Sequence, residues 1–465
     1  MHKFRKVYTG LLGCIFAGIL SFFAGSIYAI GPPDHSPSVA IQVATFDVDA
    51  TPPVGSQLTY DPEINKWDLG LRARGIVILG AGQPIVLCAV DWIGIANEGQ
   101  DAFRQALAEA AGTIPERVTV HTVHQHDAPM CDFGAEKMLK EAGISPICFE
   151  GSFQREVILR LGTAVKQSLN HSQLVTQMGL GEAKVYKVAS NRRIIGSDGL
   201  LRATRFSTCK DSALRAEPEG LIDPMVSLIS FWNGKQPIAV LSYYATHPQS
   251  YYRTGVVNPD FPGVARFMRQ LAIPKALHVH FNGAGGNITT GKYNDGSPEN
   301  RGILAERLAD GMKRAWESTR FEPITADAVS WTVEPLAFPL SKNIDNVQAM
   351  MAAKDPILIA NNISKLVWLR RCQEGKLLDV RCLKVGHARI LFLPGEVFVE
   401  YQLAAKAMRP DLFVAMAAYG DYAPAYICTS IAYKEGGYES GQASGVTSEA
   451  EGILMTAIRK LLNEK

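Results

Sequence analysis

Apolar and polar positions alternate with a period of two in some segments of the chain and with a helical period in others. The two-residue period predicts paired strands at 74–79 and 85–91, at 226–232 and 238–245, and at 377–385 and 388–393. The short turns between the paired strands predict β-hairpins. Further strands are predicted at 39–48, 118–123, 276–281 and 412–418. The helical period predicts helices at 97–111, 152–169, 260–271, 299–318, 343–371, 397–408 and 448–462.

The order of these elements predicts the fold class. Strands alternate with helices through short connections, which is typical of α/β proteins whose sites lie on loops at strand ends. No linker, repeat or low-complexity segment divides residues 30–465. We therefore expect one large α/β domain with mixed β-sheets flanked by helices and a functional site on loops at strand ends.

The first 29 residues have the pattern of a targeting segment. Lys3, Arg5 and Lys6 form a basic start, and an uncharged apolar run follows as far as Ala29. This pattern predicts a signal peptide that is cleaved near Ala29 and a chain that is exported to the periplasm or the cell exterior. An uncleaved membrane anchor is the alternative, because the apolar run is long enough to span a bilayer. No other segment is apolar enough to do so, so no stable membrane span is expected after cleavage.

Composition and charge exclude several classes of partner. The chain is 47% hydrophobic and 20% charged, which predicts a sizeable buried core. Without residues 1–29 it has 44 basic and 45 acidic side chains, and neither sign is concentrated in a run. A protein that binds nucleic acid normally carries a basic patch. We therefore expect a small-molecule or lipid substrate and no nucleic-acid partner.

Seven cysteines follow the targeting segment, and none of them forms a C-x-x-C pair, which excludes a thiolate zinc finger. Export permits disulfides. Cys131 with Cys148 and Cys372 with Cys382 are close enough in sequence to be candidate pairs. Cys88 lies in an apolar strand and is expected to act as a small buried side chain.

Histidines are concentrated at the end of the strand at 118–123. The chain has ten histidines, and His121, His124 and His126 fall within six residues. An H-x-H pair in an extended segment places both rings on one face, and neutral imidazole is a common zinc ligand. The alternative is a strand end with solvated histidines.

Two distant strands also end in a residue that can bind a metal. His247 follows the strand at 238–245, and Glu396 follows the strand at 388–393. Taken singly, such a histidine is more often structural, and such a glutamate is more often a charge in the first turn of a helix. Together with His124 they make the nitrogen and oxygen set of a catalytic zinc site, with one position left for water or another ligand.

Five short motifs stand in the order and spacing of one enzyme family. V-H-Q-H-D-A-P at 123–129 is similar to T-H-T-H-S-G-P, and A-T-H-P-Q-S at 245–250 matches A-x-H-P-x-S. P-G-E stands at 394–396, an N-R pair at 191–192, and the tyrosine pattern Y-x-x-T, Y and Y-E at 426–439. The chain thus resembles the catalytic domain of the neutral/alkaline (non-lysosomal) ceramidases, zinc amidases that cleave the N-acyl bond of ceramide. The resemblance runs from about Phe46 to Gly441.

The resemblance implies roles for individual residues. It implies that a zinc ion is held by His124, His247, Glu396 and Tyr426. It further implies that Arg192 and Tyr438 contact the scissile carbonyl. Zinc polarises a carbonyl and lowers the pKa of water, and an amide hydrolase also needs donors for the oxyanion, a role that suits an arginine and a tyrosine hydroxyl. His126, on the strand face of His124, is expected to lie outside the direct ligands and to shuttle a proton.

Two features depart from the family. The G-D-V-S-P-N segment with the family's nucleophile corresponds to Gly286-Asn287-Ile288-Thr289-Thr290, so Thr289 stands at the position of the nucleophilic serine. The extra methyl group restricts the threonine hydroxyl. A structural interpretation of residues 282–287, a tight glycine turn after a strand, is equally open. In addition, ceramidases carry an immunoglobulin-like C-terminal domain, whereas this sequence ends at Lys465.

The expected function is therefore an exported, zinc-dependent amidase of N-acyl compounds, in which zinc-activated water and not Thr289 attacks the amide. One alternative is a two-metal amidohydrolase that uses both H-x-H pairs, the second being His278 and His280. Another is a binding protein that keeps the ceramidase fold without activity. A serine hydrolase is disfavoured, because the sequence contains no G-x-S-x-G.

Overall fold

A computed structural model describes residues 40–61, 63–342 and 356–463 of the chain. Its strands, in chain order, are β1 (Gln42–Asp49), β2 (Lys66–Trp67), β3 (Arg72–Leu79), β4 (Ile85–Val90), β5 (Gly94–Ile95), β6 (Val118–Thr122), β7 (Met130–Cys131), β8 (Gln173–Leu174), β9 (Gln177–Lys184), β10 (Ser190–Asn191), β11 (Arg193–Ile195), β12 (Leu201–Thr204), β13 (Met225–Asn233), β14 (Gln236–Tyr244), β15 (Val256–Val257), β16 (Leu277–Asn282), β17 (Ile288–Thr289), β18 (Arg320–Pro323), β19 (Val329–Leu336), β20 (Leu378–Val385), β21 (Ala388–Phe392), β22 (Glu396–Val397), β23 (Phe413–Ala417) and β24 (Tyr426–Ile427).

The described α-helices lie between these strands and at the end of the chain. They are α1 (Asn97–Ala111), α2 (Phe133–Glu141), α3 (Ser152–Ser168), α4 (Ser212–Ala216), α5 (Asp260–Ala272), α6 (Glu299–Glu317), α7 (Pro356–Gln373), α8 (Val399–Met408), α9 (Ser430–Glu435) and α10 (Ala450–Leu462).

Three large sheets share one topology. Their strand orders are β6-β4-β3-β1-β8, β16-β14-β13-β9-β18 and β23-β21-β20-β19. In each sheet an antiparallel hairpin (β3–β4, β13–β14 or β20–β21) is followed by a helix (α1, α5 or α8). A strand then returns parallel to the second hairpin strand: β6 beside β4, β16 beside β14 and β23 beside β21. Parallel neighbours require such a crossover. The two parallel strands of each sheet therefore end at the same edge.

Apolar side chains on one face of each sheet meet in a common core. Ile76, Leu241 and Ile390, one from each sheet, are fully buried members of this cluster. The opposite faces are covered by helices: α1 and α3 on the first sheet, α5 and α6 on the second, and α7, α8 and α10 on the third. Successive side chains of a strand point to opposite faces of the sheet. In these strands both sets include apolar side chains, so each sheet packs on both faces.

The predicted fold class is confirmed: the described residues form a mixed α/β structure with mixed sheets flanked by helices. The three predicted hairpins are present, and helix α1 has the predicted bounds. The described residues lie within one compact unit, Val39–Lys465. The predicted helix at 343–371 is observed from Pro356 onward, and its first part lies outside the described residues.

Three further expectations concern the signal peptide, membrane spans and disulfides. The predicted signal peptide, residues 1–29, lies outside the described residues. Within the described ranges, every helix is too short or too polar to cross a bilayer. The candidate disulfides are wrong, because none of the seven cysteines among the described residues forms a disulfide. Cys131 packs against Gly99 of α1 whereas Cys148 faces a cavity, and Cys372 and Cys382 lie on a helix and on a strand.

Candidate metal centre

His124 is positioned by an unusual backbone conformation and not by strand alternation. Strand β6 ends at Thr122, and His124 has a φ of 71°, which is rare for a residue other than glycine. Its Nδ1 donates to the carbonyl oxygen of Ile93 at 2.6 Å. The proton therefore sits on Nδ1, and Nε2 keeps a lone pair. A backbone carbonyl that fixes the tautomer in this way is characteristic of metal-binding histidines.

Three histidine rings from two sheets meet at one point. The ring centroids of His124, His126 and His247 are 5.0–5.1 Å apart. One ring nitrogen from each lies within 4.8 Å of the others. All three are buried, and burial lowers the pKa of His124 to about 3 and those of His126 and His247 well below the usual range. The rings are therefore neutral, as metal ligation requires.

Glu396 brings a carboxylate to the same point from the third sheet. It pairs with Tyr426 in the short parallel sheet of β22 and β24, just beyond the end of β21. Its Oε2 lies 3.5 Å from Nε2 of His124 and 3.9 Å from Nδ1 of His247. No described residue forms a hydrogen bond to Oε2, whereas Oε1 accepts the Tyr422 hydroxyl at 2.5 Å.

These donors fit a metal ion. The lone pairs of His124 Nε2 and Glu396 Oε2 face each other, and two acceptors at this distance repel unless a proton or a cation lies between them. Burial raises the pKa of Glu396 to about 7, so the carboxylate needs a positive charge to stay ionised near neutral pH. Two neutral imidazoles and a carboxylate are the donors that zinc takes in hydrolases.

Arg192 connects the histidines to two tyrosines. Its Nη1 donates to the hydroxyl groups of Tyr426, at 3.3 Å, and of Tyr438. Its Nη2 bonds Nδ1 of His247 and the carbonyl oxygen of Ile288, both at 2.9 Å. The structure therefore brings together all the residues that the resemblance implies as ligands or carbonyl contacts. It places His126 among them as well, as near to the other rings as His247 is.

His126 differs from its two neighbours in its hydrogen bonds. In the part of the chain that is described, Nδ1 of His126 has no hydrogen-bond partner. The ring instead stacks on Tyr60, with centroids 5.4 Å apart and planes 7° apart, and meets the edge of Tyr252. Its orientation is thus held by aromatic packing, while one nitrogen stays available to accept a proton or bind an ion.

A cavity of about 540 Å³ opens above the metal-ligating atoms. Its wall includes the three histidines and Glu396, together with apolar and aromatic side chains such as Tyr60, Phe149 and Phe206. Phe206 belongs to the long segment at 195–223, which leads from β11 to β13. A cavity of this size holds a small ligand and shields the polar centre from bulk water.

Thr289 is not among the described residues that line this cavity. Its Oγ1 donates to Oγ of Ser207 at 3.2 Å and accepts the backbone N–H of Gly291 at 3.1 Å. The side chain is fully buried. Both hydrogen-bonding capacities of the hydroxyl are therefore used within the protein.

Asn287, the other departure from the family motif, has a structural role. Its Oδ1 accepts the N–H of Val399 at the start of α8, and its Nδ2 donates to Glu400 at 2.8 Å. A carboxylate at this position would repel Glu400. The preceding glycines permit close packing: an added Cβ would meet the Thr246 carbonyl at 2.0 Å from Gly285 and that of Glu396 at 2.5 Å from Gly286. The structural interpretation of this glycine turn is thereby supported.

The second H-x-H pair does not join the centre. His278 and His280 lie on β16 inside the protein, and His280 contacts Ser242 at 2.9 Å. Among the described residues, the only group of three or more metal-binding side chains is formed by His124, His126 and His247. The two-metal alternative therefore lacks a second site in the described structure.

Sequence analysis missed several residues of the site. Tyr422 supports Glu396, and Tyr60 and Tyr252 pack on His126. Lys365, on α7, contributes to the cavity wall. The only signal for Tyr422 is its place in the tyrosine-rich loop after β23, and nothing in the sequence distinguishes the others.

Comparisons with known proteins give matches in structure only. No family model matches the sequence, and the comparison with curated proteins gives no match. A neutral ceramidase from Pseudomonas aeruginosa matches with a TM-score of 0.67 and 15% identity, over 91% of this chain and 74% of that one. A ceramidase complexed with C2 matches with a TM-score of 0.66 and 15% identity, over 91% and 75%. At this identity the likeness establishes a shared fold.

Proposed function

We propose that this protein is a zinc-dependent amidase that hydrolyses N-acyl compounds. The observation that carries the proposal is the meeting of His124, His247 and a Glu396 oxygen without a hydrogen bond, among the described residues, at the wall of one cavity. The fold shared with two ceramidases supports the choice of an amide as the bond that is cleaved.

In this proposal His124, His247, Glu396 and Tyr426 hold the zinc ion. Zinc in such a site supplies a Lewis acid and makes hydroxide available near neutral pH. Tyr422 keeps the Glu396 carboxylate in place through its hydroxyl. The Ile93 carbonyl oxygen keeps the proton of His124 on Nδ1, so that Nε2 stays free to bind.

Arg192 and Tyr438 bind the carbonyl oxygen of the substrate. Both line the cavity, and Arg192 is buried. A guanidinium and a hydroxyl donate to an oxygen that gains negative charge during attack, and fixed donors in a site without bulk water stabilise that charge strongly. Arg192 donates to Nδ1 of His247, so the guanidinium would give up this hydrogen bond if His247 held a metal ion through that nitrogen.

His126 accepts the proton of the attacking water through Nδ1. This nitrogen is free of hydrogen bonds from any described residue, and burial lowers the pKa of the ring, so it is neutral at pH 7. The proton can then pass to the leaving amine, as general acid–base catalysis of amide hydrolysis requires.

The proposed substrate is a smaller or more soluble N-acyl compound than ceramide. The cavity of about 540 Å³ is lined in part by Phe206, of the long segment at 195–223, and by Tyr438, whose rings stack 5.9 Å apart. We further propose that residues 30–465 form the catalytic domain and that residues 1–29 direct its export and are cleaved.

Zinc titration of metal-stripped protein tests the function. One equivalent of zinc should restore hydrolysis of a medium-chain N-acyl amide, and ceramide in detergent should be hydrolysed more slowly. His124→Asn should lose zinc binding and activity together, whereas the matched control His278→Asn, also a buried histidine, should keep both. Zinc binding without hydrolysis of any N-acyl amide would instead indicate a binding protein, and hydrolysis that survives in metal-free protein would contradict the proposal.

A further inference from the structure

Lys365 places an ammonium group at the wall of the cavity. It lies on α7 next to Ser364, and both side chains contribute to the lining. Its Nζ donates to the Gln442 carbonyl oxygen at 2.6 Å. The neighbouring Ala443 also lines the cavity, and its N–H bonds the Tyr438 carbonyl oxygen. The ammonium group is thus held on the loop that carries Tyr438.

This positive charge has no counter-ion in the described structure. No ion pair joins Lys365 to any described residue, and the one hydrogen bond found for Nζ leaves two of its three N–H groups for other partners. Burial lowers the pKa of Lys365 to about 8. The side chain is half-buried, and an anion beside it would offset the solvation that its ammonium group has lost.

The rest of the cavity wall is also more positive than negative. Glu396 is its only described carboxylate, and that carboxylate faces the histidines and Tyr422. Arg192 is bonded to two tyrosines, a histidine and a backbone carbonyl oxygen. A bound zinc ion would add two further positive charges. Of the two permanently basic side chains in the described wall, Lys365 keeps more N–H groups for an anion, since only Nε of Arg192 is without a partner.

We propose that Lys365 binds an anionic group of the substrate, and that the substrate is an N-acyl amino acid whose carboxylate contacts this lysine. The proposal rests on the amidase function and narrows its substrate class. An amino acid is an amine that carries a carboxylate two bonds from its nitrogen. The amide bond and the carboxylate of an N-acyl amino acid can therefore both lie within one small cavity. A sulfonate one bond further from the nitrogen, as in an N-acyl taurine, carries the same charge.

A matched pair of ligands that cannot be hydrolysed tests the contact. N-(dodecylsulfonyl)glycine and its carboxamide differ only in the carboxylate, and their dissociation constants for zinc-loaded protein are measured by calorimetry. Wild-type protein should prefer the carboxylate by on the order of tenfold, as expected for one hydrogen bond to a charged group. Lys365→Met keeps the length of the side chain and should reduce the preference to about one. Lys365→Arg should keep it.

The outcomes separate this proposal from its alternatives. An unchanged preference in Lys365→Met would overturn it, because the zinc ion or Arg192 would then be the group that recognises the carboxylate. An equal loss of affinity for both ligands in Lys365→Met would also overturn it, because the loss of a lysine with a purely structural role would weaken the binding of both. A sulfonate analogue whose binding depends on Lys365 supports the proposal equally.

Hydrolysis distinguishes failure here from failure of the amidase function. N-dodecanoylglycine and N-dodecanoylglycinamide are compared as substrates of the wild-type enzyme and of Lys365→Met. A preference for the acid that the variant loses supports the proposal. Equal hydrolysis of both by both enzymes overturns the substrate class and leaves an amidase. If neither of these substrates nor any other N-acyl amide is hydrolysed, the amidase function on which the substrate class rests is contradicted.

Discussion

Replacing Thr289 by alanine should lower stability and leave most of the activity. The hydroxyl of Thr289 makes two buried hydrogen bonds, to Ser207 and to the N–H of Gly291. Each such bond contributes about 0.5–1.5 kcal/mol, and the lost methyl group contributes about 1 kcal/mol more. The free energy of unfolding should therefore fall by about 2–4 kcal/mol. If water and not Thr289 attacks the amide, kcat should fall by less than about tenfold, whereas loss of a true nucleophile costs on the order of 10⁴-fold or more.

The adjacent Thr290 provides a matched control. It is equally buried, and its Oγ1 donates to the Ser207 carbonyl oxygen at 3.2 Å and accepts from Asn294 at 3.3 Å. Thr290→Ala should lose similar stability and similar activity. Thr289→Ser keeps the hydroxyl and should resemble the wild type in both respects. Urea denaturation gives the stabilities, and kcat is measured well below the unfolding temperature of each variant.

One result would refute this reasoning. It is a Thr289→Ala protein that is folded and fully loaded with zinc but inactive, beside an active Thr290→Ala. Mass spectrometry of enzyme quenched during turnover supplies an independent check, since an acyl ester on Thr289 would establish a covalent route.

Three further predictions follow from contacts around the centre. Tyr422→Phe removes the hydrogen bond to Glu396 and should weaken zinc binding by about 10–100-fold, measured by chelator competition. Arg192→Met should lower kcat by about 10²–10³-fold without weakening zinc binding in the same assay, because Arg192 occupies the lone pair of His247 that zinc would take. Burial raises the pKa of Asp421 to about 6, so its contribution to stability is present below about pH 4 and lost as the pH rises through 6. Asp421→Asn should therefore raise the free energy of unfolding at pH 8 by about 2–3 kcal/mol and change it little at pH 4, and an equal effect at both values would contradict this cause.

Much of the fold could be predicted because local patterns decide it. β-Branched alternation around short turns specified the three hairpins. The position of His247 and Glu396 directly after predicted strands was enough to suggest that they meet. The repeated topology of the three large sheets could not be predicted. Their chains follow the same path, but their sequences show no visible repeat.

The finer geometry of the site depends on tertiary contacts. The H-x-H argument expected His124 and His126 on one strand face, but the strand ends at Thr122 and His124 adopts a positive φ. The rings still meet because neighbouring loops fix the backbone there: His124 N bonds Trp92 O, after β4 of the same sheet, and Thr122 N bonds Tyr419 O, after β23 of the third sheet. The candidate disulfides failed for a related reason, since nearness in sequence does not bring two sulfur atoms into bonding geometry.

Metal content measured together with activity tests the central claim most directly. Protein stripped with a chelator is titrated with zinc, and bound metal and the rate of hydrolysis of an N-acyl amide are measured in the same samples. The account predicts that the rate rises in proportion to bound zinc and levels off at one equivalent, and that His247→Asn neither binds the ion nor gains activity. A rate that is independent of zinc, or one that levels off only at two equivalents, would contradict it.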